Sequence, residues 1–118
     1  MNLTNKQLFS LIPILIGKIR NTKLLTYRVI AAGFSKKGNL IGIETNGWRE
    51  IIADNRGKGK HAEASLIKKF GRKIDTIYIL RVGRSLNILP IHPCASCLNI
   101  ANKMKIKIIP IHECLNIC

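Results

Sequence analysis

The chain has 118 residues, and its twenty lysines and arginines outnumber six acidic residues to give a formal net charge of +14. This length predicts one domain over residues 1–118, and the 47% share of hydrophobic residues excludes a disordered chain. No apolar run approaches the ~20 residues that cross a bilayer. We expect a cytoplasmic protein with no membrane partner, because no small-residue cleavage site follows the apolar run at residues 11–16.

The basic excess bears on the kind of partner. A strongly basic protein attracts polyanions and releases their counterions on binding, so nucleic acid or nucleotide phosphate is the expected partner. The alternative is a solvated basic surface with no specific role.

The N-terminal part is predicted to form a helix followed by a β-hairpin. Apolar side chains within residues 4–20 recur at the spacing of one helical face. Pro13 lies inside this pattern and should kink the helix or mark the first turn of a shorter one. The hairpin comprises a strand at residues 25–34, a turn at 35–39 and a returning strand at 40–45.

The remainder of the chain is predicted to alternate helices with strands. Gly71 should end the first of these helices. The nearly unbroken apolar run at residues 76–82 is typical of a strand buried on both faces. Pro110 implies a sheet edge or a strand end. The predicted elements are a loop (46–60), a helix (61–70), a strand (76–82), a loop (83–92), a helix (94–105) and a strand (106–111).

The order α-β-β-α-β-α-β of these elements predicts a mixed sheet covered by helices, which is an α/β fold.

The cysteines are Cys94, Cys97, Cys114 and Cys118. Four cysteines could form two disulfides. However, Cys94 and Cys97 form a tight Cys-x-x-Cys pair in a chain with no export signal, and that favours metal binding or redox chemistry.

His61, Cys94 and Cys97 together have the chemistry of a zinc site. One imidazole and two thiolates are ligands of the softness that zinc prefers, and three protein ligands leave the fourth tetrahedral position to water. Zinc lowers the pKa of that water to about 7. Glu63, two residues from His61, can then act as general base and afterwards as general acid.

The predicted helices place these residues where their side chains can bind one metal ion. Cys94 and Cys97 lie three residues apart, so both sulfurs can face one metal from a first helical turn, where the helix dipole favours thiolates. Pro93 fits the first helical position, because its missing N–H bonds nothing there. His61 and Glu63 would point to nearly opposite sides of a regular helix, so His61 must lie at the irregular edge of its helix.

The pattern His61-Ala62-Glu63 with Pro93-Cys94-x-x-Cys97 resembles the signature of the zinc-dependent cytidine deaminase superfamily. The resemblance implies a three-layer α/β/α fold with a mixed sheet of four or five strands and with zinc held at two helix starts. It implies hydrolytic deamination of a nucleobase, with cytosine converted to uracil. Members usually have a fifth strand after the fourth, for which only residues 112–118 remain, and Ala95 stands where some branches have proline.

A histidine as first ligand looks more like the deoxycytidylate and polynucleotide branches of the superfamily than like the small nucleoside deaminases.

The segment before His61 is predicted to contact substrate. The resemblance implies an asparagine at the end of the second strand that binds the sugar, and Asn46 matches that position loosely, with Asn55 as a competitor for the role and an ordinary turn asparagine as the alternative. Trp48 would stack on a base or anchor the core. The glycine-interleaved basic run before His61 would contact phosphate, unless it is merely a solvated loop. The predicted substrate-binding residues are Asn46, Trp48, Arg56, Lys58, Lys60 and Ala62.

The sequence leaves several alternatives open. The substrate is expected to be a cytosine-containing nucleotide or single-stranded nucleic acid, although adenine in RNA is also possible. A non-catalytic module, in which zinc only stabilises a nucleic-acid-binding fold, would need a fourth protein ligand. A thiol redox protein would leave His61 and Glu63 unexplained. An oligomer is possible.

Cys114 and Cys118 have no assigned role. Together with His92 or His112 they would make a second metal site, or one of them would fill the fourth zinc position and silence catalysis. Ordinary buried or tail thiols fit their spacing better.

Overall fold

The computed structural model describes residues 3–19, 28–45, 61–83, 85 and 87–115. The helices and strands follow the predicted order, with two additions near the C-terminus. They are α1 (Asn5–Ile19), β1 (Arg28–Phe34), β2 (Leu40–Thr45), α2 (Ala62–Phe70), a 3₁₀ turn (Gly71–Lys73), β3 (Thr76–Val82), β4 (Ile88–Leu89), α3 (Ala95–Lys103), β5 (Lys107–Pro110) and α4 (Ile111–Cys114).

The strands form one mixed sheet centred on β3. β1 pairs antiparallel with β2 on one side and with β3 on the other. The second side of β3 is shared, since β4 pairs antiparallel with its last residues and β5 pairs parallel with its first ones. The mixed sheet predicted from the order of the elements is therefore confirmed.

Helices cover both faces of this sheet. Because successive strand residues point to opposite faces, Ile30 and Ala32 of β1 pack towards α1, while Val29 and Ala31 pack towards α2 and α3. Leu15 of α1 and Leu66 of α2 are fully buried in these two separate clusters. The result is the expected three-layer α/β/α arrangement.

The two additions correct the sequence prediction. β4 lies inside the segment predicted as a loop at residues 83–92. Ile111, predicted as the last residue of a strand, instead begins α4. Pro110 ends β5, as expected, because its ring fixes φ and it has no N–H to donate to a sheet.

Side chains cap the N-terminal end of α1. Thr4 Oγ1 accepts a hydrogen bond from the backbone N–H of Gln7, and Gln7 Oε1 accepts one from the N–H of Thr4. This reciprocal pair satisfies two of the free N–H groups at the helix start.

Pro13 lies in the interior of α1, so it does not mark the first turn of a shorter helix. Among the described residues, no helix is long and apolar enough to span a bilayer.

Candidate metal centre

Two helices begin at the same place in the molecule, and each begins with a predicted metal ligand. His61 is the N-cap residue of α2 (φ −89°, ψ 133°) and Cys94 is the N-cap residue of α3 (φ −70°, ψ 157°). Both residues therefore have extended backbone just before a helix. The prediction that His61 lies outside the regular helix is confirmed. Because its backbone is extended, its side chain does not have to follow the direction that a position within α2 would give it.

The three side chains converge. Cys94 Sγ lies 3.6 Å from His61 Nδ1, and the ligand atoms of His61, Cys94 and Cys97 all lie within 4.8 Å of one another. Within the described ranges this is the only group of three or more potential metal ligands.

The first turn of α3 is built around the sulfur of Cys94. The backbone N–H of Cys97 donates to Cys94 Sγ at 3.4 Å, and Ser96 Oγ lies 3.2 Å from the same sulfur. Cys94 thus serves as a helix cap, in the manner of a serine or aspartate oxygen. Pro93 consequently precedes the cap, and its predicted position as the first helical residue is wrong.

The two thiols differ in acidity. Burial favours the neutral form of Cys94, but hydrogen bonds from Ser96 and Cys97 outweigh it and hold the pKa of Cys94 below its usual value. Burial is the main reason that the pKa of Cys97 is raised well above its usual value, with further contributions from its hydrogen bond to Cys94 and from the negative charge of Glu63. One sulfur is therefore prepared for the ionised form that binds metal.

Glu63 is buried, with only 3% of its surface exposed. It lies in the first turn of α2, and its charge acts on the pKa of both Cys94 and Cys97. A buried carboxylate is costly unless a cation or a hydrogen-bond donor accompanies it. A positive ion between the imidazole and the two sulfurs would balance the negative charges of Glu63 and of two thiolates.

The donor set fits zinc. One imidazole nitrogen and two cysteine sulfurs, brought together from two helix starts, match the ligands of catalytic zinc sites that keep an open position. Hard cations such as Mg²⁺ and Ca²⁺ prefer oxygen ligands, which this group does not provide.

The fold can be compared with those of known proteins. A cytidine deaminase from Mycobacterium leprae superposes with a TM-score of 0.55 at 20% identity, covering 90% of this chain and 87% of that one. A cytidine deaminase from Burkholderia pseudomallei gives a TM-score of 0.55 at 17% identity, covering 87% and 78%. This chain has the cytidine deaminase fold. No family model matches the sequence, and no curated protein matches it either.

The cytidine deaminase fold thus accompanies the ligand triad, as the motif resemblance implied. The fifth strand that members of the superfamily usually have after the fourth is not found in the described residues after β5, where α4 lies. The fifth strand of this sheet is β4, earlier in the chain.

The described residues contain only part of the predicted substrate contacts. Ala62 is fully buried, and its side chain belongs to the core cluster between the sheet and α2. Its role towards substrate remains a prediction. The other predicted contacts lie outside the described residues: Asn46, Trp48, Asn55, Arg56, Lys58 and Lys60.

Cys114 lies outside the triad. Its Sγ lies 3.8 Å from the backbone oxygen of Pro110, within the short helix α4. This contact is that of an ordinary thiol and supports neither a second metal site nor a fourth ligand from Cys114. Cys118 lies outside the described residues.

Sequence reasoning did not single out Ser96, and it named His112 only as a ligand of a second metal site. Ser96 lies against Cys94 Sγ, and its place inside the Cys-x-x-Cys pair could have indicated this contact. His112 is buried, and its Nδ1 accepts a hydrogen bond at 3.3 Å from the backbone N–H of Ile91, three residues before Cys94. Because 21 residues separate these two partners, no local pattern points to their bond.

Proposed function

We propose that this protein is a zinc-dependent hydrolytic deaminase that converts cytosine to uracil on a nucleotide or a single-stranded nucleic acid. One observation carries the proposal. His61, Cys94 and Cys97 present their ligand atoms within 4.8 Å of one another, beside a buried Glu63, on the cytidine deaminase fold.

The ligand roles follow from the chemistry of the side chains. His61 Nδ1 and the sulfurs of Cys94 and Cys97 would hold the metal. When bound, zinc supplies Lewis-acid activation of water at neutral pH.

Glu63 would move the protons. Its carboxylate would take a proton from the attacking water and pass it to the ring nitrogen. It would then take the second water-derived proton, from the hydroxyl added to the ring carbon, and pass it to the amine that leaves as ammonia, so one group acts as base and as acid in turn. Burial of Glu63 suits this role, because it shields the proton transfer from bulk water. The reaction consumes one water and releases one ammonia for each uracil formed.

The experiment is deamination by the zinc-loaded protein, measured side by side on cytidine, deoxycytidylate, a cytosine-containing single-stranded oligonucleotide and an adenosine-containing RNA. Mass spectrometry detects each deaminated product. We expect uracil from at least one cytosine substrate. Deamination of the RNA adenosine alone would overturn the assignment of cytosine.

Glu63→Gln is the matched active-site variant, and Glu113→Gln is its control, because Glu113 is exposed on α4. We expect Glu63→Gln to lower the rate by about 10²–10⁴-fold, the usual contribution of general acid–base catalysis. The control should retain the wild-type rate. No product from any substrate with the zinc-loaded wild type would overturn the proposal.

A further inference from the structure

A basic surface lies at the far ends of the two helices that carry the triad. We call it the distal basic patch. All of its side chains are exposed, and they come from two segments of the chain. Its members are Lys68, Arg72, Lys73, Lys103, Lys105 and Lys107.

The two segments of the distal basic patch are neighbours in space. The Met104 side chain packs so closely on Gly71 that its methyl would lie 2.7 Å from a Cβ added there. The backbone N–H of Lys107 donates to the carbonyl of Asp75 at 3.1 Å. The positive charges are therefore gathered at one end of the α2–α3 layer.

Among the described residues, no ion pair joins a carboxylate to a member of the patch. Glu44 Oε1 is engaged by Ser65 Oγ and Lys69 Nζ, each at 2.7 Å, so Lys69 is not counted in the patch. Asp75 accepts a hydrogen bond from Thr76 Oγ1. The carbonyl ends of the helices attract cations only within their last turn. That effect accounts for Lys68 and Lys103 and extends to Arg72 and Lys73, which lie in the 3₁₀ turn after α2. Lys105 and Lys107 lie beyond the helix ends.

Lys105 supports a role for the patch beyond helix capping. It has a φ of 57°, the left-handed conformation that favours glycine. It follows α3 in a Schellman motif, with Lys105 N bonded to Asn102 O and Ile106 N bonded to Ala101 O. A lysine at this position costs stability that a glycine would not, and such strained positions are typical of functional sites.

The distance from the triad indicates the size of the ligand. α2 and α3 are nine residues long, and they separate the triad at their first ends from the patch at their last ends by about 13 Å. This separation places the patch better for the phosphates of neighbouring nucleotides in a strand than for the phosphate of a single nucleotide bound at the triad.

We propose that the distal basic patch binds the phosphate backbone of a single-stranded nucleic acid. The patch and the triad lie at opposite ends of the same two helices. A substrate that contacts both is therefore a polynucleotide. The choice of substrate rests on the proposed function, whereas binding of the strand to the patch does not.

Fluorescence anisotropy with a labelled single-stranded oligonucleotide tests the proposal on the zinc-loaded protein. The patch variant is Arg72→Gln/Lys73→Gln/Lys107→Gln. The control is Lys6→Gln/Lys36→Gln/Lys37→Gln, which removes the same charge from exposed positions on α1 and the β1–β2 turn. We expect the patch variant to bind at least about tenfold more weakly, with a salt slope reduced by about 2, as for three lost phosphate contacts to a single strand. The control should lose less than about threefold.

Lys105→Gly separates binding from folding. Removing the strained side chain should raise the Tm by roughly 4 °C while the oligonucleotide binds more weakly. Lys105→Arg keeps the charge and should keep the affinity. A more stable Lys105→Gly with unchanged affinity would contradict a role for Lys105 in the patch.

The remaining outcomes distinguish the two proposals. Equal losses in the patch and control variants would overturn the distal basic patch, even if cytosine is deaminated. Phosphatidylserine vesicles that bind the wild type as tightly as the oligonucleotide does, with the same loss in the patch variant, would overturn the assignment to nucleic acid. Failure of the proposed function would appear instead as no deamination of any substrate, with the anisotropy difference intact.

Discussion

Cys94 Sγ lies 3.6 Å from His61 Nδ1, although 33 residues separate Cys94 from His61 in the chain. Each of the two is the N-cap of a helix, and both helices pack on the same face of the sheet. A cap residue with an extended backbone can point its side chain in a direction that residues within the helix cannot reach. Two caps at one edge of a layer therefore make a ligand site that no single helix provides.

Metal removal should destabilise the fold. A ligand that binds only the native state adds about 2.7 kcal/mol when it is present at a hundredfold excess over its Kd. We expect a chelator to lower the Tm of the wild type and zinc to restore it, as measured by calorimetry. Cys97→Ser should abolish this response, whereas Cys114→Ser, outside the triad, should keep it. A Tm indifferent to chelator and zinc would contradict the metal site.

The cysteines should differ in alkylation rate in metal-free protein. Hydrogen bonds from Ser96 and Cys97 outweigh burial and lower the pKa of Cys94, whereas burial raises the pKa of Cys97 and of Cys114. A lowered pKa means that the reactive thiolate of Cys94 persists to lower pH than an ordinary thiolate does. Peptide mass spectrometry after iodoacetamide treatment should find Cys94 modified before Cys97 and Cys114.

Ser96→Ala provides the control for that experiment. It removes one hydrogen bond from the Cys94 thiolate, so the alkylation profile of Cys94 should move to higher pH. Faster modification of Cys97 than of Cys94 would contradict the assigned acidities.

His112 should hold the segment that leads to Cys94. His112→Leu leaves the buried N–H of Ile91 without its acceptor, which costs about 1–3 kcal/mol in the free energy of unfolding. His112→Asn offers an oxygen near the position of Nδ1 and should recover part of that loss. Urea denaturation measures both variants, and equal stabilities for Leu and Asn would argue against the bond.

Two glycines should respond in opposite directions. A Cβ at Gly33 would lie 2.8 Å from Ile74 Cδ1 and 3.2 Å from its Cγ1, so Gly33→Val should cost about 1–3 kcal/mol through overpacking. Gly17 has open space around it within α1, and Gly17→Ala should add about 0.5–1 kcal/mol. Urea denaturation of both variants checks the signs. A stabilising Gly33→Val would contradict the close packing between β1 and Ile74.

The sequence predicted the main elements of the fold because their signals are local. The apolar run of β3 and the helical spacing in α1 give their type directly. The edge position of His61 followed from the geometry of its spacing to Glu63. The pairing of β4 was not predictable, because two residues carry no periodicity and their partners are Arg81 and Val82 in another strand.

The corrections also have physical causes. Pro93 was predicted as the first helical residue from its missing N–H alone. The sulfur of Cys94 accepts the N–H of Cys97 and becomes the cap, which moves the helix start by one residue. Ile111 was predicted in a strand, but Pro110 before it is the last residue paired in the sheet and the N-cap of α4, so Ile111 begins the helix. The cytoplasmic location and any oligomer remain predictions.

The most direct test of the central claim is X-ray absorption spectroscopy at the zinc edge of protein purified with zinc. We expect one zinc per chain, with two sulfurs at about 2.3 Å, one histidine nitrogen at about 2.0–2.1 Å and one further light ligand from solvent. Zinc bound with a third sulfur or a second histidine would contradict an open catalytic position. A protein that binds no zinc would contradict the metal centre itself.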